Sequence, residues 1–168
     1  QLRKHHKKIG PDPASINSCT IGGITANNSS GMCCGVVHNA YHTIHSMTYV
    51  LANGAVINSE DPNADEQLQQ QMPELYSEII SIRNEILSSP ELTRTIKRKY
   101  QIKNTVGYSI NAFVDFYKPS DIFLRLLIGS EGTLAFIHRC TYHFLPEKPF
   151  KLTAMLYFDN SYEACRAV

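Results

Sequence analysis
The chain has 168 residues, enough for one domain that buries roughly 70% of the surface its unfolded form exposes. A hydrophobic content of 43% with only 9 Gly and 8 Pro excludes collagen-like and disordered readings. Sixteen Lys and Arg against fifteen Asp and Glu leave a formal charge of +1, which removes nucleic acid and anionic membrane as partners drawn by bulk charge.

Residues 1 to 9 carry Arg3, Lys4, His5, His6, Lys7 and Lys8 and read as a solvated segment with none of a signal peptide's apolar stretch. From Gly10 to Gly35 the chain turns to Gly, Ser, Thr, Asn and Pro, too irregular for a long helix and too apolar for a linker. Ile44 to Leu51 reads as a strand with Met47, Tyr49 and Leu51 on one face. Asn53-Gly54 then predicts a hairpin into Ala55-Val56-Ile57, both turn residues being tolerant of positive φ. A polar, helical insert follows at about 59–103. Pro73 opens a helix on which Leu75, Ile79, Ile82 and Ile86 recur, and Ser89-Pro90-Glu91 starts a second.

Further on, Asp121 to Leu127 predicts a short helix capped by Ser120 and ended by Gly129. Leu134 to Leu145 predicts a strand in which Leu134, Phe136, His138, Cys140, Tyr142 and Phe144 share a face, and Lys151 to Phe158 another strand. Asn160 and Glu163 have capping-box spacing for a helix too short to stand alone before Val168, so the chain reads as cut from a longer protein. The fold class is α+β, a mixed or antiparallel sheet with packed helices. No apolar run nears the ~18 residues of a membrane span. Five cysteines without C-x-x-C spacing (Cys19, Cys33, Cys34, Cys140, Cys165) read as reduced thiols of a cytoplasmic protein, peripheral membrane association staying open.

Dinucleotide, P-loop, zinc-protease and serine-hydrolase signatures are missing. Four segments stand out instead, each read as a backbone-exposing loop: Gly10-Pro11-Asp12-Pro13-Ala14-Ser15, Thr20-Ile21-Gly22-Gly23, Ala26-Asn27-Asn28-Ser29-Ser30-Gly31 and Gly129-Ser130-Glu131-Gly132-Thr133-Leu134. Paired glycines let the main chain approach a ligand, and successive N–H groups suit phosphate oxygens. Pro11 and Pro13 fix the backbone and leave Asp12 and Ser15 to meet polar ligand groups.

Together with Asn53-Gly54 and Lys103-Asn104-Thr105-Val106-Gly107-Tyr108, and in this order, these segments resemble the FAD-binding domain of the vanillyl-alcohol oxidase and p-cresol methylhydroxylase type, in its D-lactate dehydrogenase and glycolate oxidase branch. The resemblance covers about residues 10 to 145 and implies the second of two FAD subdomains. Residues 1–149 would be that subdomain and 150–168 the truncated start of a substrate-binding cap. It implies that Pro11, Asp12, Pro13, Ala14 and Ser15 line the flavin and ribityl side, that Gly22 and Gly23 with Thr20 meet the pyrophosphate, and that Asn27, Asn28, Ser29 and Ser30 form a flavin-proximal loop. Glu131, Gly132, Thr133 and Ile137 would supply further contacts, with Asn104 and Tyr108 at the flavin face.

The activity so implied is oxidation of a small 2-hydroxy acid (D-lactate, glycolate or D-2-hydroxyglutarate) by hydride transfer to FAD in the intact protein. No catalytic base is identified, and an iron–sulfur cluster is an expectation only for sequence outside this chain. The expected partners are the small acid and the remaining domains of the same polypeptide. Two other readings compete. Cys33, Cys34, His38, His42 and His45 form a Cys/His set that zinc accepts, although adjacent cysteines point apart on most backbones. A non-catalytic assembly domain is the other, since fold does not fix function.

Overall fold
A computed structural model describes residues 2–150 and 152–167. These divide into two compact units, residues 9–145 and residues 1–8 with 146–168. The smaller unit has a 3-10 turn at Leu2–His5, the strand β1 (Lys7–Lys8) and, at its other end, a short helix. Within it the Glu147 N–H donates to the His6 carbonyl at 2.8 Å.

The larger unit begins with two short helices, α1 (Ile21–Asn27) and α2 (Ala40–Thr43). The hairpin β2 (Ile44–Val50) and β3 (Val56–Asn58) follows, then helices α3 (Ala64–Gln71), α4 (Pro73–Ser88), α5 (Pro90–Lys99), α6 (Ala112–Asp115) and α7 (Pro119–Leu126). The chain closes the unit with β4 (Phe136–Tyr142) and enters β5 (Leu145–Pro146). Strand order is β3-β2-β4, both pairs antiparallel, so the apolar β2 is central. Met47, Tyr49 and Leu51 are buried as the alternation predicts. They share a core with Ile79, Ile86 and Ile96 of the helical insert and with Ile122, Phe123 and Leu127. The α+β class expected from the sequence is the observed one.

Several local expectations are corrected. In the hairpin only Gly54 has positive φ, +87°. Leu51 N–H donates to Ala55 O and Gly54 N–H to Leu51 O, so the connection is a three-residue loop with Gly54 in the left-handed position, not a two-residue turn. Asn53 Oδ1 accepts from Ala55 N–H, and its Nδ2 donates to Gln71 O at the end of α3.

Pro119 opens α7, which places Ser120 inside the helix. Its N–H donates to Asp65 Oδ1 at 2.9 Å, and it caps nothing. In β4 the register slips between Thr48↔Arg139 and Tyr49↔Ile137, leaving His138 as an extra residue. The bulge shifts the alternation: Ile137, Cys140 and Tyr142 pack on the core while Phe136 and His138 face out, so the expected shared face does not form.

Residues 152–158 form no strand, and Lys151 lies outside the described residues. The final helix, α8 (Ser161–Arg166), is capped as predicted, Asn160 Oδ1 accepting from Glu163 N–H at 3.0 Å.

Candidate functional site
The Thr20-Ile21-Gly22-Gly23 segment is not a loop. Thr20 is the N-cap of α1, its Oγ1 accepting from Gly23 N–H at 3.0 Å, so both glycines lie in the first helical turn. Tertiary contacts hold this short helix. Ile24 is buried, Thr25 Oγ1 donates to Ile21 O at 2.8 Å, and the Tyr142 hydroxyl of β4 donates to Thr25 Oγ1 at 2.7 Å. Burial raises the Tyr142 pKa, which keeps that donor protonated.

The loop after α7 closes over α1. Glu131 N–H donates to Ala26 O at 2.9 Å, and Glu131 Oε1 accepts from Asn27 Nδ2 at 2.6 Å, while Ser29 Oγ donates to Asn27 Oδ1 at 2.6 Å. Between the two elements runs an open groove of about 600 Å³ walled by Thr20, Gly22, Gly23, Ala26, Glu131 and Gly132, with Ala135, Phe136 and Ile137 on its floor. A Cβ on Gly22 would meet nothing within 4 Å, whereas one on Gly23 would lie 3.1 Å from Thr20 Oγ1. Small residues thus expose backbone to a ligand here.

Asp12 does something the sequence did not announce. Its Oδ1 accepts from Gly31 N–H at 3.0 Å and Cys34 N–H at 3.2 Å, and its Oδ2 from Cys33 N–H at 3.2 Å. Burial alone would raise its pKa, but the Cys34 thiol and these three backbone donors outweigh that and hold the carboxyl below its usual value. Burial, and next the Asp12 side chain, push the Cys34 thiol up. Gly31 is obligatory here, since a Cβ would fall on the Asp12 carbonyl oxygen.

Pro11 and Pro13 are buried beside this clasp, and Ala14 and Ser15 are exposed, Ser15 O receiving Ser18 and Cys19 N–H. Asp12, Ala14, Ser30 and Gly31, with Met32, Cys33, Gly35 and Lys103, line a second open groove of about 640 Å³. Lys103 Nζ donates to Ser30 O at 2.8 Å. This cation was visible in the sequence only as the first residue of the Lys103-to-Tyr108 motif.

The structure therefore brings Thr20, Gly22, Gly23, Glu131, Gly132 and Ile137 together, and Asp12, Ala14 and Ser30 together in another groove. Asn27 and Ser29 brace the first groove through Glu131. Asn28 caps α1 in the left-handed region at φ 55°. Thr133 Oγ1 donates to Ser130 O at 2.6 Å and accepts from the Tyr108 hydroxyl at 2.9 Å. Asn104 lies apart, lining a cavity of about 20 Å³ with Asn28, Asn39 and Asn111.

Cys33, Cys34, His38, His42 and His45 do not converge. Among the described residues no three His, Cys, Asp or Glu side chains are grouped to hold a metal ion. Cys34 is buried against Asp12, His42 pairs with Asn39, and the His45 ring meets His143 at 4.9 Å. No helix among the described residues is long and apolar enough to cross a membrane.

The Gly22 wall and the left-handed Gly132, φ +75°, fit a cofactor pressed against backbone. Residues 1–60 match the family model described as FAD binding domain. No curated protein and no solved structure matches the chain. The match spans α1, Asp12, Gly22 and Gly23 but not Gly132, and it supports reading this α+β chain as part of an FAD-binding domain of a flavin-dependent oxidoreductase.

Proposed function
We propose that this chain supplies one wall of an FAD site in an enzyme that oxidises a small 2-hydroxy acid of the D-lactate, glycolate or D-2-hydroxyglutarate class. The observation that carries the FAD part is that the α1 side of the small-residue groove, Thr20, Gly22, Gly23 and Ala26, falls within the FAD binding domain match over residues 1–60. The substrate class rests on the ordered motifs read from the sequence.

When bound, FAD supplies a two-electron acceptor able to take a hydride from the carbinol carbon of such an acid. The chain's own part is to hold and shape. Thr20, Gly22 and Gly23 offer backbone at α1, and the loop Glu131-Gly132-Thr133 forms the opposing rim. In the neighbouring groove Asp12 and Lys103 fix the 30–34 loop, so Ala14 and Ser30 are presented on a braced backbone. The Glu131 carboxylate is engaged by Asn27, which offsets part of its repulsion toward an anionic cofactor. The base and the group that binds the substrate carboxylate would come from residues beyond 150, in a cap domain of the same polypeptide.

The test is to purify the polypeptide that carries this chain, record its flavin spectrum, and add D-lactate, glycolate or D-2-hydroxyglutarate under anaerobic conditions. The expected result is bound flavin bleached by one of the three. A protein that takes up no added FAD sinks the proposal. Bound flavin reduced by none of the acids removes the substrate class alone.

A further inference from the structure
On the side of the larger unit built by α3, α4 and the start of α7 lies a cavity of about 340 Å³, none of whose lining residues belongs to the two grooves above. That volume is within the range of small-molecule sites and far above a packing defect. Its apolar wall comes from Ile79 and Ile80 of α4 and Pro119 and Ile122 of α7.

The charged wall is Arg83 and Lys118. Arg83 is held by two contacts: Nε donates to Phe116 O at 3.0 Å, and the guanidinium lies over the Tyr117 ring, 5.1 Å from its centre. Its Nη atoms make no hydrogen bond or ion pair among the described residues, and neither does Lys118 Nζ. A guanidinium fixed through Nε presents its remaining donors as a fork matched to a carboxylate, beside a second cation.

Asp65 also lines the cavity, but both its oxygens are engaged. Oδ2 accepts from the Tyr76 hydroxyl at 2.8 Å and Oδ1 from Ser120 N–H at 2.9 Å. Its charge remains nearby, and Asp121 of α7, whose carboxyl interacts with Lys118, adds a second anion, so little net positive charge is left and a singly charged anion is favoured over a dianion.

We propose that this cavity is a binding site for a small monocarboxylate with an apolar body, its carboxylate on Arg83 and Lys118 and its hydrocarbon part against Ile79, Ile80 and Ile122. Such a site, on the helical insert and separate from the grooves at α1, lets a carboxylic acid act on the protein without occupying the proposed cofactor wall.

The test uses the full 168-residue chain, ¹⁵N-labelled, titrated with benzoate, with neutral benzamide and with inorganic phosphate while backbone amide shifts are followed. Benzoate is expected to shift amides of residues 79–84 and 117–122 saturably and to bind at least about tenfold tighter than either other probe. Arg83→Gln is expected to weaken benzoate by a similar factor. Because Arg83 also holds the Phe116 carbonyl, a second variant separates binding from folding. Ile80→Trp starts from a partly exposed position, fills the cavity and leaves Arg83 in place, and it is expected to abolish the benzoate shifts while the rest of the spectrum is kept. The proposal is overturned by benzamide or phosphate binding as tightly as benzoate. It is equally overturned by shifts centred on Gly22 or Gly31 rather than on Arg83, or by no saturable shift up to about 10 mM benzoate.

Discussion

Gly22 and Gly23 are neighbours with opposite tolerances. A side chain at Gly22 projects into the open groove, so Gly22→Val is expected to leave stability within about 1 kcal/mol of wild type and to lower FAD retention in the flavin-loaded protein. Gly23→Val presses on Thr20 Oγ1 and disturbs the cap as well, adding a loss of about 1 kcal/mol. Thermal melts together with flavin occupancy separate the two, and normal occupancy in Gly22→Val counts against the groove as a cofactor wall. Asp12 is a clasp rather than a free ligand group. Asp12→Ala removes the partner of three backbone donors and is expected to cost on the order of 2 kcal/mol, the partial solvent exposure of the site being allowed for. The sign of its pH dependence follows from the lowered pKa. The stabilisation is present above the unfolded value near 3.8 and is lost as pH falls through the lower folded value. Urea midpoints of wild type and Asp12→Ala should therefore converge only below about pH 4.

At the scale of elements, the loop from Gly129 to Thr133 shows what a turn motif contributes. Glu131 and Gly132 are consecutive left-handed residues at φ 53° and 75°, the first held by the Ala26 carbonyl and the Asn27 side chain. Gly132→Ala is expected to cost about 1 to 2 kcal/mol through the backbone alone, since its Cβ has open space around it. Thr133→Val removes the Thr133 partner of the exposed Tyr108 hydroxyl and the side-chain bond to the Ser130 carbonyl, which still accepts the Thr133 N–H, and is expected to cost no more than about 1 kcal/mol, in addition to any loss of cofactor. Unchanged urea midpoints for both would contradict the turn as described. The same scale shows what the sequence made legible. Helices with a regular apolar repeat and a proline start, α4 and α5, were readable, and so was the central strand β2. The helix α1 was not, because Gly22 and Gly23 have poor helix propensity and the element is held by Thr20, buried Ile24 and the reach of Tyr142 across to Thr25. Nor was the slip at His138, since a bulge leaves no mark in an alternating pattern until the partner strand fixes the register. Ser120 looked like a cap because Ser often is one, but Pro119 beside it already begins α7.

For the molecule as a whole, the buried apolar residues of the three-stranded sheet and the insert all lie within residues 9–145. Amides of β2 and α7 should accordingly exchange slowest with deuterium, and those of residues 152–158, exposed and outside any helix or strand, fastest. Comparable protection in the two places would contradict the division into units. The candidate site was legible in part. The small-residue segments were visible as segments, and the structure places Gly22 and Gly132 on one groove and Asp12 and Ser30 on another. Asp12's three backbone partners and the bond from Lys103 to Ser30 could not be read, because each spans at least 19 positions of sequence separation and depends on where the chain turns back.

The extra residue in β4 has a consequence for how this strand tolerates change in length. Deleting a residue from the middle of a paired strand ordinarily turns everything beyond it onto the wrong face. Here the slip is already built in, and removing His138 would set Arg139 opposite Thr48 directly after Ile137 opposite Tyr49, with Cys140 still facing Met47. A shortened chain would keep its buried face, so homologous sequences with one residue fewer at this point would align as ordinary relatives, the gap marking a bulge lost rather than a strand broken.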